Sequence, residues 1–237
     1  MALIRLDKYI SDLGIAGRRE ARRLISSGRV TVDGKPERAP ERKLDPDTAE
    51  VTLDGKPLRY RRYRYFMMDK PAGFVTSTEE RGQKTVLDLL PEELQGLGLV
   101  PVGRLDKDTT GLLLLTNDGD FAHRVISPKS AVEKRYYAHV EGVPDADDAA
   151  AFREGLTLGD GTKCLPALLE PTGENSCYVT LTEGKYHQVK RMLAARGKPV
   201  TALRRLSVGG LKLDETAQPG ALRELEEQDL CTVFIDI

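Results

Sequence analysis

Val102-Gly103-Arg104-Leu105-Asp106-Lys107-Asp108-Thr109-Thr110-Gly111-Leu112-Leu113-Leu114-Leu115-Thr116-Asn117-Asp118-Gly119 decides how this chain is read. Four successive leucines do not alternate between polar and apolar, so Leu112–Leu115 reads as a central strand buried on both faces. Asn117 or Asp118 stands where it can cap a helix running through Phe121 to Ile126. A buried strand feeding a capped helix predicts a domain that mixes helices and sheet. Upstream of the strand, Asp106 lies in a loop flanked by Gly103 and Gly111, with Arg104 two residues away. A loop aspartate by itself is an ordinary turn or cap residue, so its neighbours must decide whether it does chemistry.

Moving toward the C-terminus, Tyr136–Val140 and Ser176–Thr182 read as strands and Asp145–Leu156 as an exposed amphipathic helix. Lys185–Arg196 reads as a helix with Val189, Met192 and Leu193 inward, followed by strands at Val200–Leu206 and Leu211–Leu213. Moving toward the N-terminus, Thr85–Leu90 is a short helix stopped by Pro91. Tyr65–Met68 is a strand, and Lys70-Pro71-Ala72-Gly73 turns it into a further strand through Val75. The result is an α+β chain with a mixed, mostly antiparallel sheet.

The run Arg59-Tyr60-Arg61-Arg62-Tyr63-Arg64 is too basic for a core and reads as an exposed linker. It separates a small domain over residues 1–60 from a larger one over 61–237. In the small domain, Leu6–Leu13 and Arg18–Ser27 read as helices stopped by Gly14 and Gly28. Ala21, Leu24 and Ile25 form the buried stripe of the second, while Arg18, Arg19, Arg22 and Arg23 project from its other side. The string Val-Thr-x-Asp-Gly-Lys-Pro occurs at 30–36 and again at 51–57, which predicts two similar hairpin turns.

Of the 237 residues, 40% are apolar and 31% charged, as in a soluble globular protein, and no stretch is long and apolar enough to span a bilayer. No apolar segment with a small-residue cleavage site follows Met1. Cys164, Cys177 and Cys231 are odd in number and widely spaced, which argues against a disulfide framework. The expected location is therefore the cytoplasm. His123, His139 and His187 do not combine with the cysteines at metal-ligand spacing. A net charge of −1 hides an asymmetry: residues 1–64 hold 16 Lys+Arg against 10 Asp+Glu, and the rest hold 20 against 27. A basic N-terminal segment on a neutral protein points to a polyanionic partner engaged by that segment.

Two strings make the reading sharper. Arg5-Leu6-Asp7-Lys8, then Gly17-Arg18-Arg19-Glu20-Ala21-Arg22-Arg23-Leu24-Ile25, then Gly28-Arg29-Val30-Thr31-Val32-Asp33-Gly34 resemble, in order, the small RNA-binding domain named after the fourth small-subunit ribosomal protein. The string around Gly103-Arg104-Leu105-Asp106 resembles the signature of the pseudouridine synthases. Lys70–Gly73, Glu133-Lys134-Arg135-Tyr136, Glu183–Met192 and Pro219–Leu225 resemble further motifs of that family in the same order. Together they are similar to the RsuA family, bacterial enzymes of small-subunit (16S) rRNA. One departure is Asp69, where the family pattern has Asn.

The resemblance implies an isomerase that breaks the bond between ribose and uracil in one uridine, turns the base, and rejoins it through carbon 5. Asp106 would be the catalytic carboxylate, Lys190 its basic partner, with Arg191 as the alternative, and Tyr136 the ring that faces the base. Arg104 would hold or replace the displaced nucleotide. Arg5, Lys8, Arg18, Arg19, Arg22, Arg23 and Arg29 would contact phosphates, and a base buried in RNA would have to leave its stack first. Nothing in the net reaction calls for a redox cofactor or metal, so none is expected. The carboxylate must stay ionised, which burial opposes and a cation within about 4–6 Å favours. The expected partner is 16S rRNA, within a pre-ribosomal particle, and the expected state is a monomer. Three alternatives stay open: a 23S rRNA enzyme of the same family, a non-catalytic rRNA assembly factor, and a nucleoside hydrolase. Tyr186-His187-Gln188 favours 16S over 23S relatives, which carry Asn-Arg-Gln. A binding module would not need Asp106, Tyr136 and Lys190 together, and a hydrolase would want a second carboxylate.

Overall fold

A computed structural model describes residues 3–214 and 216–235. The chain divides into two compact units. The first runs up to Arg64 and takes in Leu90–Leu99; the second is formed by Tyr65–Leu89 and the chain from Val100 onward. The segment Leu90–Leu99 is one that the sequence reading had grouped with the larger domain.

In the first unit, the short strand β1 (Ile4–Arg5) leads into helix α1 (Leu6–Asp12), and α2 (Arg18–Ser26) follows. Leu6, Tyr9 and Ile10 of α1 and Ala21 and Ile25 of α2 meet Val30, Val32 and Val51 in one buried cluster. Strands β2 (Val30–Val32) and β3 (Lys35–Glu37) form one hairpin; β4 (Lys43–Leu44) pairs with β1; β5 (Val51–Leu53) and β6 (Lys56–Leu58) form a second hairpin. Both hairpins turn on Asp-Gly with positive φ at both positions, 53° and 75° at Asp33-Gly34 and 49° and 77° at Asp54-Gly55. That geometry matches the twist of the flanking strands. The two copies of the repeated string lie side by side, β2 against β5, with the Thr31 and Thr52 hydroxyls 2.7 Å apart. A small helix, α3 (Glu92–Gln95), belongs to this unit.

The run at residues 59–64 is exposed at Arg59, Arg61, Arg62 and Tyr63, as expected of a linker, and is anchored at two positions. The Tyr60 ring lies 5.0 Å from that of Tyr9, and its hydroxyl donates to Asp12 Oδ2 at 2.7 Å. Arg64 is buried and donates to the Leu13 carbonyl at 3.2 Å. Tyrosine and arginine bury apolar bodies while satisfying polar tips, so a largely exposed basic run can still be tied down at two points.

The second unit is built on a mixed sheet. Its strands are β7 (Tyr65–Lys70), β8 (Val100–Val102), β9 (Thr110–Thr116), β10 (Lys134–Val140), β11 (Leu168–Gly173), β12 (Ser176–Leu181), β13 (Val200–Val208), β14 (Leu211–Lys212) and β15 (Leu222–Glu224). Among the described residues the order is β11-β12-β10-β13-β9-β7-β15, with β14 paired to β13 and β8 to β9. Among the described strands of this sheet, the β13–β9 ladder is parallel and the other ladders are antiparallel. Leu112–Leu115 of β9 are buried on both faces, as their composition requires. Asp118 caps α4 (Gly119–Ile126), accepting from the amides of Asp120 and Phe121 at 3.0 and 3.1 Å. Helices α5 (Ala146–Glu154), α6 (Gln188–Ala195) and α7 (Glu227–Thr232) complete the unit.

Three local expectations change. Val75 forms only an isolated bridge with Thr85 rather than a strand. The short helix before Pro91 is a single 3₁₀ turn, Val86–Leu89. The helix expected over Lys185–Arg196 begins at Gln188, because His187 adopts a left-handed backbone with φ 49° and breaks the helical run. Strands β8 and β11 were not anticipated; their segments contain Pro101 and Pro171, which mask the strand pattern. Among the described residues no helix is long and apolar enough to cross a membrane.

Candidate active site

The loop carrying Asp106 is pinned by the backbone of neighbouring elements. Thr76 donates its hydroxyl to the Leu105 carbonyl at 2.7 Å and accepts the Leu105 amide at 3.2 Å. The Gly73 amide reaches the Lys107 carbonyl at 2.8 Å. Lys70, fully buried, donates to the carbonyls of Pro71, Lys107 and Thr109 at 3.0, 3.3 and 2.9 Å. Burial pulls the Lys70 pKa down to about 8 against the attraction of Asp108 and Asp106. The Lys-Pro-Ala-Gly turn is thus a clamp for the aspartate loop, a role that its sequence did not announce. At the other end of the loop, Gly111 has φ 100°, and a Cβ there would lie 2.2 Å from the Arg205 carbonyl oxygen. Only glycine lets β9 and β13 approach this closely.

Asp106 itself sits between two nitrogens. Lys190 Nζ lies 3.1 Å from Oδ2, and His187 Nε2 lies 3.4 Å from Oδ1, with the carboxylate side chain 26% exposed. Lys190 also bonds Asp108 at 2.6 Å. Burial opposes the Lys190 charge, but the bonds to Asp108 and Asp106 outweigh it and leave its pKa above the ordinary lysine value. Lys190 in turn holds the Asp108 carboxyl below its usual range. The side chains of the turn before α6 are fixed by Glu183. Its carboxylate accepts from the Leu165 amide at 2.8 Å and from Gln188 Nε2 at 2.7 Å, while Gln188 Oε1 accepts the Lys185 amide at 2.8 Å. This lock presents His187 and Lys190 together, and the exposed Tyr186 ring stacks on His187 with centroids 3.9 Å apart.

These groups edge a pocket within the second unit. Tyr136 forms part of its wall and is 9% exposed; Tyr137 faces the other side of the sheet, packed with Tyr178 and His139. Six lysines and arginines line the pocket against two carboxylates, Asp106 and Glu183. Two of the cations lie deep. Lys134 is 9% exposed and has no carboxylate partner among the described residues; burial, with the Arg205 guanidinium adding to it, lowers its pKa to about 8. Arg205 is 4% exposed, donates Nε to the Leu112 carbonyl at 2.7 Å, and has a buried Nη2 with no hydrogen-bond partner among the described residues. The sequence reading passed over both, along with His187.

The structure brings Asp106, Lys190, Tyr136 and Arg104 together at this pocket. Arg104 is exposed at its edge without an intramolecular partner among the described residues. Arg191 is set apart: its guanidinium binds Asp160 at 2.5 Å and the Tyr186 carbonyl at 3.4 Å, so Lys190 rather than Arg191 is the partner of Asp106. Asp69, the departure from the family pattern, binds Arg204 at 2.8 Å through Oδ2, which explains how a charge is tolerated at a nearly fully buried position.

In the first unit, six of the seven cations expected to contact phosphates are engaged with acids. Arg5, Arg22 and Arg18 converge on the fully buried Asp7 at 2.8, 3.0 and 3.9 Å. Lys8 binds Asp12 at 2.7 Å, Arg23 binds Glu20 at 3.3 Å, and Arg29 binds Asp54. Arg19 is exposed and has no partner among the described residues. An arginine carries five N–H donors, so pairing with one carboxylate still leaves donors facing outward.

Comparison with known proteins agrees with this geometry. The RNA pseudouridylate synthase family model matches residues 64–195, and the S4 domain model matches residues 4–49. An uncharacterized RNA pseudouridine synthase, YtzG, of Bacillus subtilis (strain 168) is 44% identical over 96% of this chain and 97% of its own. The ribosomal small subunit pseudouridine synthase A of Escherichia coli (strain K12) is 44% identical over 97% of this chain and all of its own, and that of Vibrio cholerae is 43% identical over 98% of this chain. A solved pseudouridylate synthase structure superposes with a TM-score of 0.68 at 34% identity, covering 97% of this chain and 99% of the other. The chain belongs to the RNA pseudouridylate synthase family: an isomerase that carries an RNA-binding S4 domain ahead of its catalytic domain.

Proposed function

We propose that this enzyme converts one uridine of small-subunit 16S rRNA into pseudouridine, with Asp106 as the catalytic carboxylate. The observation that carries the reading is the Asp106 side chain held between Lys190 at 3.1 Å and His187 at 3.4 Å at the edge of a pocket walled by Tyr136. A cation at bonding distance favours the ionised carboxylate that the reaction needs, and partial exposure leaves an oxygen accessible to the sugar–base junction. Tyr136 offers its ring face to uracil. Arg104, exposed and unengaged, takes the phosphate of the displaced nucleotide or fills the gap it leaves. Arg19 and the outward donors of Arg5, Lys8, Arg18, Arg22, Arg23 and Arg29 bind the RNA backbone and help offset the cost of unstacking the base.

The 16S assignment rests on the two ribosomal small subunit relatives and on Tyr186-His187-Gln188. Pseudouridine mapping of 16S and 23S rRNA, free and within pre-ribosomal particles, after incubation with the purified protein tests it. A single new pseudouridine in 16S rRNA is the expected result; modification of 23S rRNA alone redirects the substrate, and none in either rejects the reading.

A further inference from the structure

Rupture of the ribose–uracil bond leaves the bonding electron pair on the base. The negative charge is shared between N1 and the O2 and O4 oxygens until C5 bonds to the ribose, after which C5 gives up its proton and N1 gains one. If the carboxylate adds to the base instead, the charge again falls on a base oxygen. Whatever route Asp106 takes, the base passes through an anionic state, and a site that lowers the barrier must place positive charge near those oxygens.

The pocket contains two such charges. Lys134 and Tyr136 are two residues apart on β10 and share a face of the sheet, and both line the pocket. Arg205 stands directly across from Tyr136 on β13 and lines the same pocket. Among the described residues, Lys134 is nine-tenths buried with no acid to neutralise it, and Arg205 holds a buried donor with nothing to receive it. A desolvated cation without a partner is costly, and two beside one aromatic ring form an arrangement that an anionic ligand would relieve. Lys190 cannot serve here, because Asp106 and Asp108 already occupy it.

We infer that Lys134 and Arg205 form a base-anion pocket that holds the oxygens of the detached or activated uracil beside Tyr136. The inference rests on the proposed reaction at this site and assigns the pair a function distinct from that of Lys190: Lys190 faces the carboxylate, whereas Lys134 and Arg205 face the base. Arg205 also supports β9 through the Leu112 carbonyl, so Lys134 gives the cleaner test.

The experiment compares wild type, K134M and K134R on rRNA carrying uridine or 5-fluorouridine, free and assembled into pre-ribosomal particles, under single-turnover conditions, by following loss of the parent nucleoside. Fluorine makes the departing base a more stable anion that needs less help from the protein. K134M is expected to slow the uridine reaction about 10²-fold with RNA affinity unchanged. Its deficit should shrink to about 10-fold or less on 5-fluorouridine, and K134R should keep most of the activity. An equal deficit on both substrates, or none, with wild type active, overturns this inference and leaves the parent reading standing. A wild type inactive on both 16S and 23S rRNA, free and assembled, overturns the two together.

Discussion

Asp7 in the first unit and Asp106 in the second are both aspartates gripped by cations, and the two grips differ in what they leave free. Asp7 is fully buried; Arg5 and Arg22 hydrogen-bond its oxygens, and Arg18 stands at 3.9 Å. The bonds from Arg5 lead in drawing its pKa down to about 2, with Arg22 adding to them against the opposing effect of burial. Asp106 is one-quarter exposed, receives one contact per oxygen, and faces a pocket. The first carboxylate is consumed as a structural tie between the start of α1 and α2. The second keeps part of its surface open toward the pocket. The same elementary pairing therefore leaves a carboxylate sealed or accessible according to how many of its lone pairs the protein itself occupies.

The largest effect that sharpens this contrast is on turnover. Asp106→Asn should lower pseudouridine formation more than about 10³-fold while the thermal midpoint and RNA affinity stay near wild type; near-normal turnover would remove Asp106 from the chemistry. Lys190→Met should cost about 10²-fold in rate, with Lys190→Arg recovering part of it, as measured by single-turnover assay. Asp7→Asn should do the reverse, lowering stability by about 2–3 kcal/mol through loss of charge-assisted bonds while the activity of the folded fraction persists. Denaturant titration separates the two outcomes.

A smaller effect follows from pH. Because the folded-state pKa of Asp7 lies below its unfolded value, its contribution is complete above about pH 4 and fades as pH falls toward 2. The contribution is about 2 kcal/mol. Acid unfolding of Asp7→Asn should lack that component, and parallel acid curves for wild type and variant would contradict the assignment. The smallest effect concerns the outer face of α2. Arg19→Ala should reduce the salt dependence of RNA binding by about one phosphate contact without altering stability, whereas Arg22→Ala should weaken both because Arg22 also holds Asp7. Equal stability losses in the two variants would break the distinction between tying and contacting arginines.

Local chemistry was enough to place much of the molecule. Leu112–Leu115 read as a doubly buried strand and is one, Asn117 or Asp118 was placed to start α4 and Asp118 does so, and the paired Asp-Gly turns predicted the two hairpins. These outcomes depend on neighbours within a few residues, so sequence determines them. Asp106 was different: the loop's own chemistry left it an ordinary turn residue, and only the resemblance of Gly-Arg-Leu-Asp to the pseudouridine synthase signature singled it out. Long-range encounters were not legible. Resemblance put Lys190 first and left Arg191 as the alternative partner of a residue 84 positions earlier; local chemistry could not choose between them, because the choice depends on where α6 begins, and the left-handed His187 set that start. Lys134, Arg205 and Lys70 looked like ordinary strand and turn cations, and only the packed sheet showed them to be desolvated. Burial is a property of what surrounds a side chain, so the sequence determined which groups could carry charge, and the tertiary structure alone decided which charges are shielded, which are paired, and which face the pocket.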